Sequence, residues 1–302
     1  FMLHPHGKVS EVQRRQMTSV LDDNIHNLAV DGTFDDCQNL VKAMFNDNSF
    51  REKHNLSAVN SINWARIAAQ VVYYFRAALE LGAPDRAVNF SVPTGNFGNV
   101  LAGYIARQMG LPVNRLIIGS NRNDILTRFF QSGKMQKQGV EPSLSPSMDI
   151  QISSNFERYL FDLLGRDAKR ISALMEQFAS KGHFEIDSDE LGRACSLFAA
   201  CRLDDRETST EIDRVYRQTG EVVDPHSVIG VAAARALGEA DTPTVVLGTA
   251  HPAKFADAVE AACGVRVALP ESVAGIMTGE ERVTPVANAL DGIMALIDSK
   301  AA

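Results

Sequence analysis

Three short stretches of this sequence carry residue types that could do chemistry. The first is Thr94-Gly95-Asn96-Phe97-Gly98-Asn99. Its glycines let the backbone take unusual φ angles and come close to a ligand. Between a strand and the start of a helix, its free N–H groups and the helix dipole would favour a phosphate. It is neither a Walker A loop nor a G-x-G-x-x-G fingerprint, and a tight strand-to-helix turn with no ligand explains the same residues. The second stretch is Asn60-Ser61-x-Asn63-x-x-Arg66. Asn60 and Ser61 present donors at a helix start, and Arg66 offers a planar fork for phosphate or carboxylate. An N-cap followed by a surface arginine is the plainer alternative. The third is Gly248-Thr249-Ala250-His251. The Thr249 hydroxyl could exchange a hydrogen bond with a ring nitrogen without imposing a charge; a turn threonine beside a structural histidine fits as well. His4 and His6 could face one way as a metal pair, but no third ligand is evident. Asn121, Asn123 and Asp124 could reach a ligand or simply form a polar loop.

Holding these residues in place takes a particular order of elements. Residues 61–81 read as a helix with Ile67, Val71, Phe75 and Ala78 on one face and Gly82 as its C-cap. Residues 87–92 read as a strand, 93–98 as a loop, 99–109 as a helix and 115–119 as the next strand. Strand, loop, helix, strand at this length implies parallel pairing in an α/β sheet. Residues 123–222 read as mostly helical, with Thr208-x-x-Glu211 fitting a capping box. The α/β pattern then returns. Asp224-Pro225 opens a helix over 227–237, and 244–247 is a wholly apolar, β-branched strand typical of a buried parallel sheet. The Thr249 loop follows at that strand's carboxyl end, where open α/β sheets bind ligands.

Composition narrows the classes. With 302 residues, 45% hydrophobic, the chain can bury one large core or two modest ones. Its formal net charge of −7, without a basic stripe, argues against nucleic acid as a partner. No apolar run approaches the ~20 residues of a membrane helix, and no secretory signal is visible. Cys37, Cys195, Cys201 and Cys263 form no C-x-x-C pair and read as reduced thiols of a cytoplasmic protein.

Taken together, SVPTGNFGNVLAGYIARQMGLPV, NSINWARIAAQVVYYF and VVLGTAHPAKF resemble the threonine synthase family, and VVDPHSVIGVAAARAL and ISSNFERYLF are similar to the same family. The resemblance implies a fold type II pyridoxal-phosphate enzyme, tryptophan synthase β-like: an α/β fold with a mostly parallel sheet flanked by helices. It implies a lyase of threonine biosynthesis that converts O-phospho-L-homoserine and water to L-threonine and phosphate. Gly95, Asn96, Phe97, Gly98 and Asn99 would cradle the phosphate of pyridoxal 5'-phosphate, and Thr249 would bond the pyridine nitrogen. Asn60, Ser61, Asn63 and Arg66 would hold the substrate phosphate. The partner is then a small molecule, with no nucleic acid and no membrane, on a monomer or homodimer. The family's Schiff-base lysine lies in an F-K-D-type segment that these residues lack, so no catalytic residue is assigned within the chain. That lysine is expected upstream, and the start at Phe1 suggests a chain that is partial and inactive alone. Residues 1–55 would be the remainder of a small N-terminal domain, 56–122 and 223–302 the large cofactor domain, and 123–222 a helical insertion. A serine or threonine dehydratase, a cysteine synthase, or a non-catalytic phosphate-ligand binder lacking the lysine are the competing readings.

Overall fold

The computed structural model describes residues 1–57 and 63–301. Along the chain the strands are β1 (Met2–Pro5), β2 (Asn27–Val30), β3 (Val88–Pro93), β4 (Val113–Ser120), β5 (Lys134–Gln136), β6 (His183–Glu185), β7 (Phe198–Arg202), β8 (Thr244–Val246) and β9 (Thr284–Val286). They divide between two compact units, residues 1–58 with 268–302 and residues 59–267.

In the first unit β1, β2 and β9 form a parallel sheet in that order. The helices Phe34–Asn46 and Leu290–Lys300 supply the rest of its core: Leu40, Met44, Ile293 and Ile297 gather on Leu28 and Val30. This corrects the expected division. Residues 268–302 belong with the N-terminal unit because β9 adds to β2 and the last helix covers the same sheet face.

The second unit is built on a four-stranded, all-parallel sheet in the order β7-β4-β3-β8. Its central strands are buried on both faces: Val88, Phe90, Val92, Leu116, Ile117 and Ile118 have no exposed surface, nor do Asn89 and Ser91 on the other face of β3. Such a sheet must be covered on both sides. The helices Trp64–Glu80 and Gly98–Gln108 pack together beside β3 and β4, and Ser227–Leu237 packs on β3 and β4 as well. The last approach is close: a Cβ on Gly119 would lie 3.1 Å from the Ile229 carbonyl oxygen, and one on Gly230 would lie 3.1 Å from Pro93. Small residues here let helix and sheet backbones meet.

Residues 123–222 are not a separate helical insertion. They carry β7, which pairs with β4 from Leu116↔Phe198 to Ser120↔Arg202, and an antiparallel β5–β6 pair. Phe129, Phe130, Phe156, Tyr159 and Phe198 belong to the same core as the sheet. The capping box also shifts. Asp204 and Glu207 cap the Asp205–Thr219 helix, leaving Thr208 and Glu211 inside it.

Candidate active site

β3 ends at Pro93, and the Gly98–Gln108 helix begins five residues later. Thr94 continues the sheet, its N–H donating to the Gly119 carbonyl at 2.8 Å and its hydroxyl to the Val92 carbonyl at 2.6 Å. The turn is completed by Phe97, whose φ of 62° and ψ of 3° put a non-glycine residue in the left-handed region. That conformation costs roughly 1 kcal/mol or more. The Phe97 ring keeps it in place. It is 1% exposed and meets Phe156, Phe198 and Tyr159 at centroid distances of 5.1, 5.7 and 5.8 Å.

The turn's carbonyls are held outward by a second segment. Asn155 donates its backbone N–H and its Nδ2 to the Asn96 carbonyl at 3.0 and 3.1 Å, and the Ser153 hydroxyl donates to the Gly95 carbonyl at 2.7 Å. The N–H groups of Gly95, Asn96, Phe97, Gly98 and Asn99 donate to no acceptor among the described residues. A cluster of unshared N–H groups at a helix N-terminus, with its carbonyls tied behind, is a cup for an anion. Tyr74, on the Trp64–Glu80 helix, donates its hydroxyl to the Asn99 carbonyl at 2.7 Å. Burial pushes the Tyr74 phenol well above its ordinary range, so it stays a neutral donor.

The backing segment has its own anchor. Asp149 Oδ1 accepts from Asn121 Nδ2 at 2.7 Å, Asn123 Nδ2 at 3.0 Å and the Ser143 hydroxyl at 2.6 Å, and Oδ2 accepts from the Ser143 N–H at 2.9 Å. Asn121 and Asn123, at the carboxyl end of β4, are thus engaged with this segment. The segment in turn presses on the cup: a Cβ on Gly95 would lie 3.2 Å from both Met148 Cα and the Ser147 carbonyl oxygen.

β8 lies beside β3, with Ser91↔Val246 in register and the Leu247 N–H bonded to the Ser91 carbonyl at 3.0 Å. Gly248-Thr249 therefore leaves the sheet next to the cup, at the same carboxyl edge. Thr249 is exposed, and its N–H donates to the Ser227 hydroxyl at 2.9 Å. His251 is a helix cap, its Nδ1 accepting from the Ala253 N–H at 3.2 Å.

The structure thus brings Gly95–Asn99 and Thr249 together on neighbouring strand ends. Asn60 and Ser61 lie outside the described residues. Asn63 caps the Trp64–Glu80 helix, its Oδ1 accepting from the Ala65 N–H at 3.0 Å. Arg66 is exposed and stands about two turns along that helix from Tyr74. Sequence reasoning gave no role to Tyr74, Ser147, Ser153 or Asn155. The ISSN run, polar and set just before a helix, was the one signal pointing to the last two.

Residues 227–297 match the family model described as threonine synthase, C-terminal. A threonine synthase from Pseudomonas aeruginosa is 54% identical over 299 residues, covering 98% of this chain and 64% of that protein. Over nearly its whole length the chain is thus similar to threonine synthases. Among solved structures, that of a pyridoxal-phosphate-bound threonine synthase from Brucella melitensis superposes with a TM-score of 0.94 at 52% identity, over 99% of this chain and 64% of that one. The yeast threonine synthase structure gives 0.89 at 38% identity, over 99% and 64%. The chain therefore spans 64% of the length of each of these family members. The α/β fold with parallel sheets flanked by helices is the fold type II architecture of that family. No helix among the described residues is long and apolar enough to cross a membrane.

Proposed function

We propose that this protein is a cytoplasmic, pyridoxal-phosphate-dependent threonine synthase, converting O-phospho-L-homoserine and water to L-threonine and phosphate. The observation that carries the reading is the cup. The N–H groups of Gly95 to Asn99 have no acceptor among the described residues and lie at a helix N-terminus, one strand away from an exposed threonine. A phosphate there would satisfy backbone donors that have no acceptor among the described residues. A ring extending from it toward β8 would meet the Thr249 hydroxyl, which can bond a pyridine nitrogen without adding a charge. Bound this way, the cofactor supplies the electron sink for carbanion chemistry at the substrate.

The residues of this chain orient and neutralise. Gly95 to Asn99 hold the cofactor phosphate, and Thr249 sets the tilt and electronics of the ring. Asn60, Ser61, Asn63 and Arg66 would take the substrate phosphate at the opening of the Trp64–Glu80 helix. There the Arg66 guanidinium would stabilise the dianion as it departs. The Asn63 cap bond still supports this reading, because it fixes the helix start on which Arg66 is carried.

The test is an assay of the whole protein with pyridoxal phosphate and O-phospho-L-homoserine, following threonine and phosphate together. Equal amounts of both are expected, with Arg66→Ala raising KM for phosphohomoserine by about tenfold or more, the worth of a charge-assisted bond. Turnover of serine or threonine to a keto acid, without turnover of phosphohomoserine, would replace this reading with a dehydratase.

A further inference from the structure

The motif Asp224-Pro225-His226-Ser227 has no role in the chemistry above, yet it is almost wholly buried. Asp224, His226 and Ser227 are 1%, 4% and 4% exposed. Burying a carboxylate and an imidazole is costly unless each is well bonded. Here the bonds run outward to both halves of the site. Asp224 Oδ1 accepts from the His226 N–H at 2.8 Å, from the Ser227 N–H at 3.3 Å and from His226 Nδ1 at 3.2 Å. His226 Nε2 accepts from the Ser147 N–H at 3.3 Å. An acceptor at Nε2 requires the neutral tautomer with its proton on Nδ1, which is the tautomer that the Asp224 carboxylate selects.

Two contacts then leave the motif in different directions. Through Nε2, His226 fixes Ser147, whose carbonyl oxygen packs behind Gly95 in the phosphate cup. Through its hydroxyl, Ser227 fixes the backbone N–H of Thr249 at 2.9 Å. The His226 ring also meets the Phe255 ring, centroids 4.7 Å apart, on the short helix that follows the Thr249 loop. One carboxylate therefore references both ends of a ligand that spans β3 and β8.

We propose that Asp224, His226 and Ser227 are positioning residues that set the separation between the phosphate cup and the Thr249 contact. His226 governs the phosphate end, Ser227 governs the ring end, and Asp224 locks the two together. The proposal rests on the reading of the cup and Thr249 as the two ends of one pyridoxal-phosphate site, and it predicts that the ends can be loosened separately.

The experiment compares equilibrium binding of pyridoxal phosphate and of pyridoxal, which lacks the phosphate, to the whole protein and its variants. His226→Phe removes the acceptor for Ser147 while keeping a ring against Phe255. It should weaken pyridoxal phosphate about tenfold, the worth of one lost hydrogen bond, and leave pyridoxal little changed. His226→Gln, whose Oε1 can accept from the Ser147 N–H, should recover most of that loss. Ser227→Ala should weaken both ligands by the same factor, leaving their ratio at the wild-type value. The proposal is overturned if Ser227→Ala lowers the ratio as His226→Phe does. It is also overturned if His226→Gln binds no better than His226→Phe. Should His226→Phe fail to fold, His226→Leu, which also lacks an acceptor for the Ser147 N–H, takes its place, with a lowered ratio expected there and a preserved one in Ser227→Ala. If the wild-type protein shows no preference for pyridoxal phosphate over pyridoxal, the cup reading itself falls before any variant is needed.

Discussion

Gly103→Ala tests how tightly the second unit fixes its phosphate cup. Gly103 sits inside the Gly98–Gln108 helix, where alanine is intrinsically better than glycine by about 0.5–1 kcal/mol. The structure opposes that gain. A Cβ at this position would lie 2.5 Å from Tyr74 Cε1, 2.8 Å from Tyr74 Cζ and 3.0 Å from Leu116 Cδ2. The tyrosine cannot yield cheaply: it has no exposed surface, its ring packs on Phe90 at 4.7 Å, and its hydroxyl is tied to Asn99 at 2.7 Å. Overpacking of this kind costs about 1–3 kcal/mol. Here the upper end applies, because the neighbours are ring atoms rather than a flexible tip. The net expectation is a loss of about 2 kcal/mol, or a fall in Tm of roughly 4–8 °C at 2–4 °C per kcal/mol. Pyridoxal phosphate should also bind less tightly, since displacing Tyr74 disturbs the Asn99 end of the cup. Thermal unfolding followed by circular dichroism reads the first effect, and cofactor titration reads the second. Adding Tyr74→Leu to the Gly103→Ala background should make the two losses less than additive, as for residues in contact. A Gly103→Ala protein as stable as the wild type would refute the claim that Tyr74 is locked between helix and sheet.

Two further outcomes follow from the same packing. Gly119→Ala places a Cβ 2.9 Å from Ile229 Cγ2 and 3.1 Å from the Ile229 carbonyl oxygen, so the helix carrying Ser227 must shift as a body. A loss of about 2–3 kcal/mol is expected, measurable as a lower Tm, with weaker cofactor binding beside it. Asp224 bears on acid stability. Burial pushes its carboxyl up, but hydrogen bonds from His226 and Ser227 outweigh burial and hold it below the ordinary carboxylate value. A carboxyl depressed in the folded state contributes stability above its unfolded value of about 3.9, and loses it as pH falls through the lower folded value. Between pH 5 and pH 3, stability of the wild-type protein should therefore fall more steeply than that of Asp224→Asn, as read by denaturant midpoints on a pH series.

Much of the second unit was legible in the sequence because glycine, proline and β-branched residues mark its boundaries. The βαβ unit over 87–119 was placed within about two residues at each end. The strand at 244 and the helix at 227 were read with comparable accuracy. The Phe97 turn and the Thr249 loop were recognisable for the same reason, as glycine-containing loops following short valine-rich strands. β7 was missed because Phe-Ala-Ala-Cys-Arg has no β-branched residue and no alternation; only pairing with β4 makes it a strand. The capping box was placed one turn late because Asp204-x-x-Glu207 and Thr208-x-x-Glu211 both satisfy the pattern, and the end of β7 at Arg202 decides between them. Phe75 was placed on the buried face where Tyr74 in fact lies, a one-residue rotation that periodicity does not resolve. The backing segment was illegible as a site. Its roles arise from bonds joining residues far apart in sequence, such as Ser153 to Gly95 and Ser147 to His226. Local pattern carries no trace of such partners.

The central claim is that the Gly95–Asn99 turn binds the cofactor's phosphate, and comparing pyridoxal phosphate with pyridoxal as ligands of the wild-type protein tests it most directly. Preference for the phosphorylated form by at least about a hundredfold is expected, the worth of two charge-assisted hydrogen bonds from the cup. Equal affinity for the two would contradict the claim, and would leave the turn as a strand-to-helix connection with no anion to hold.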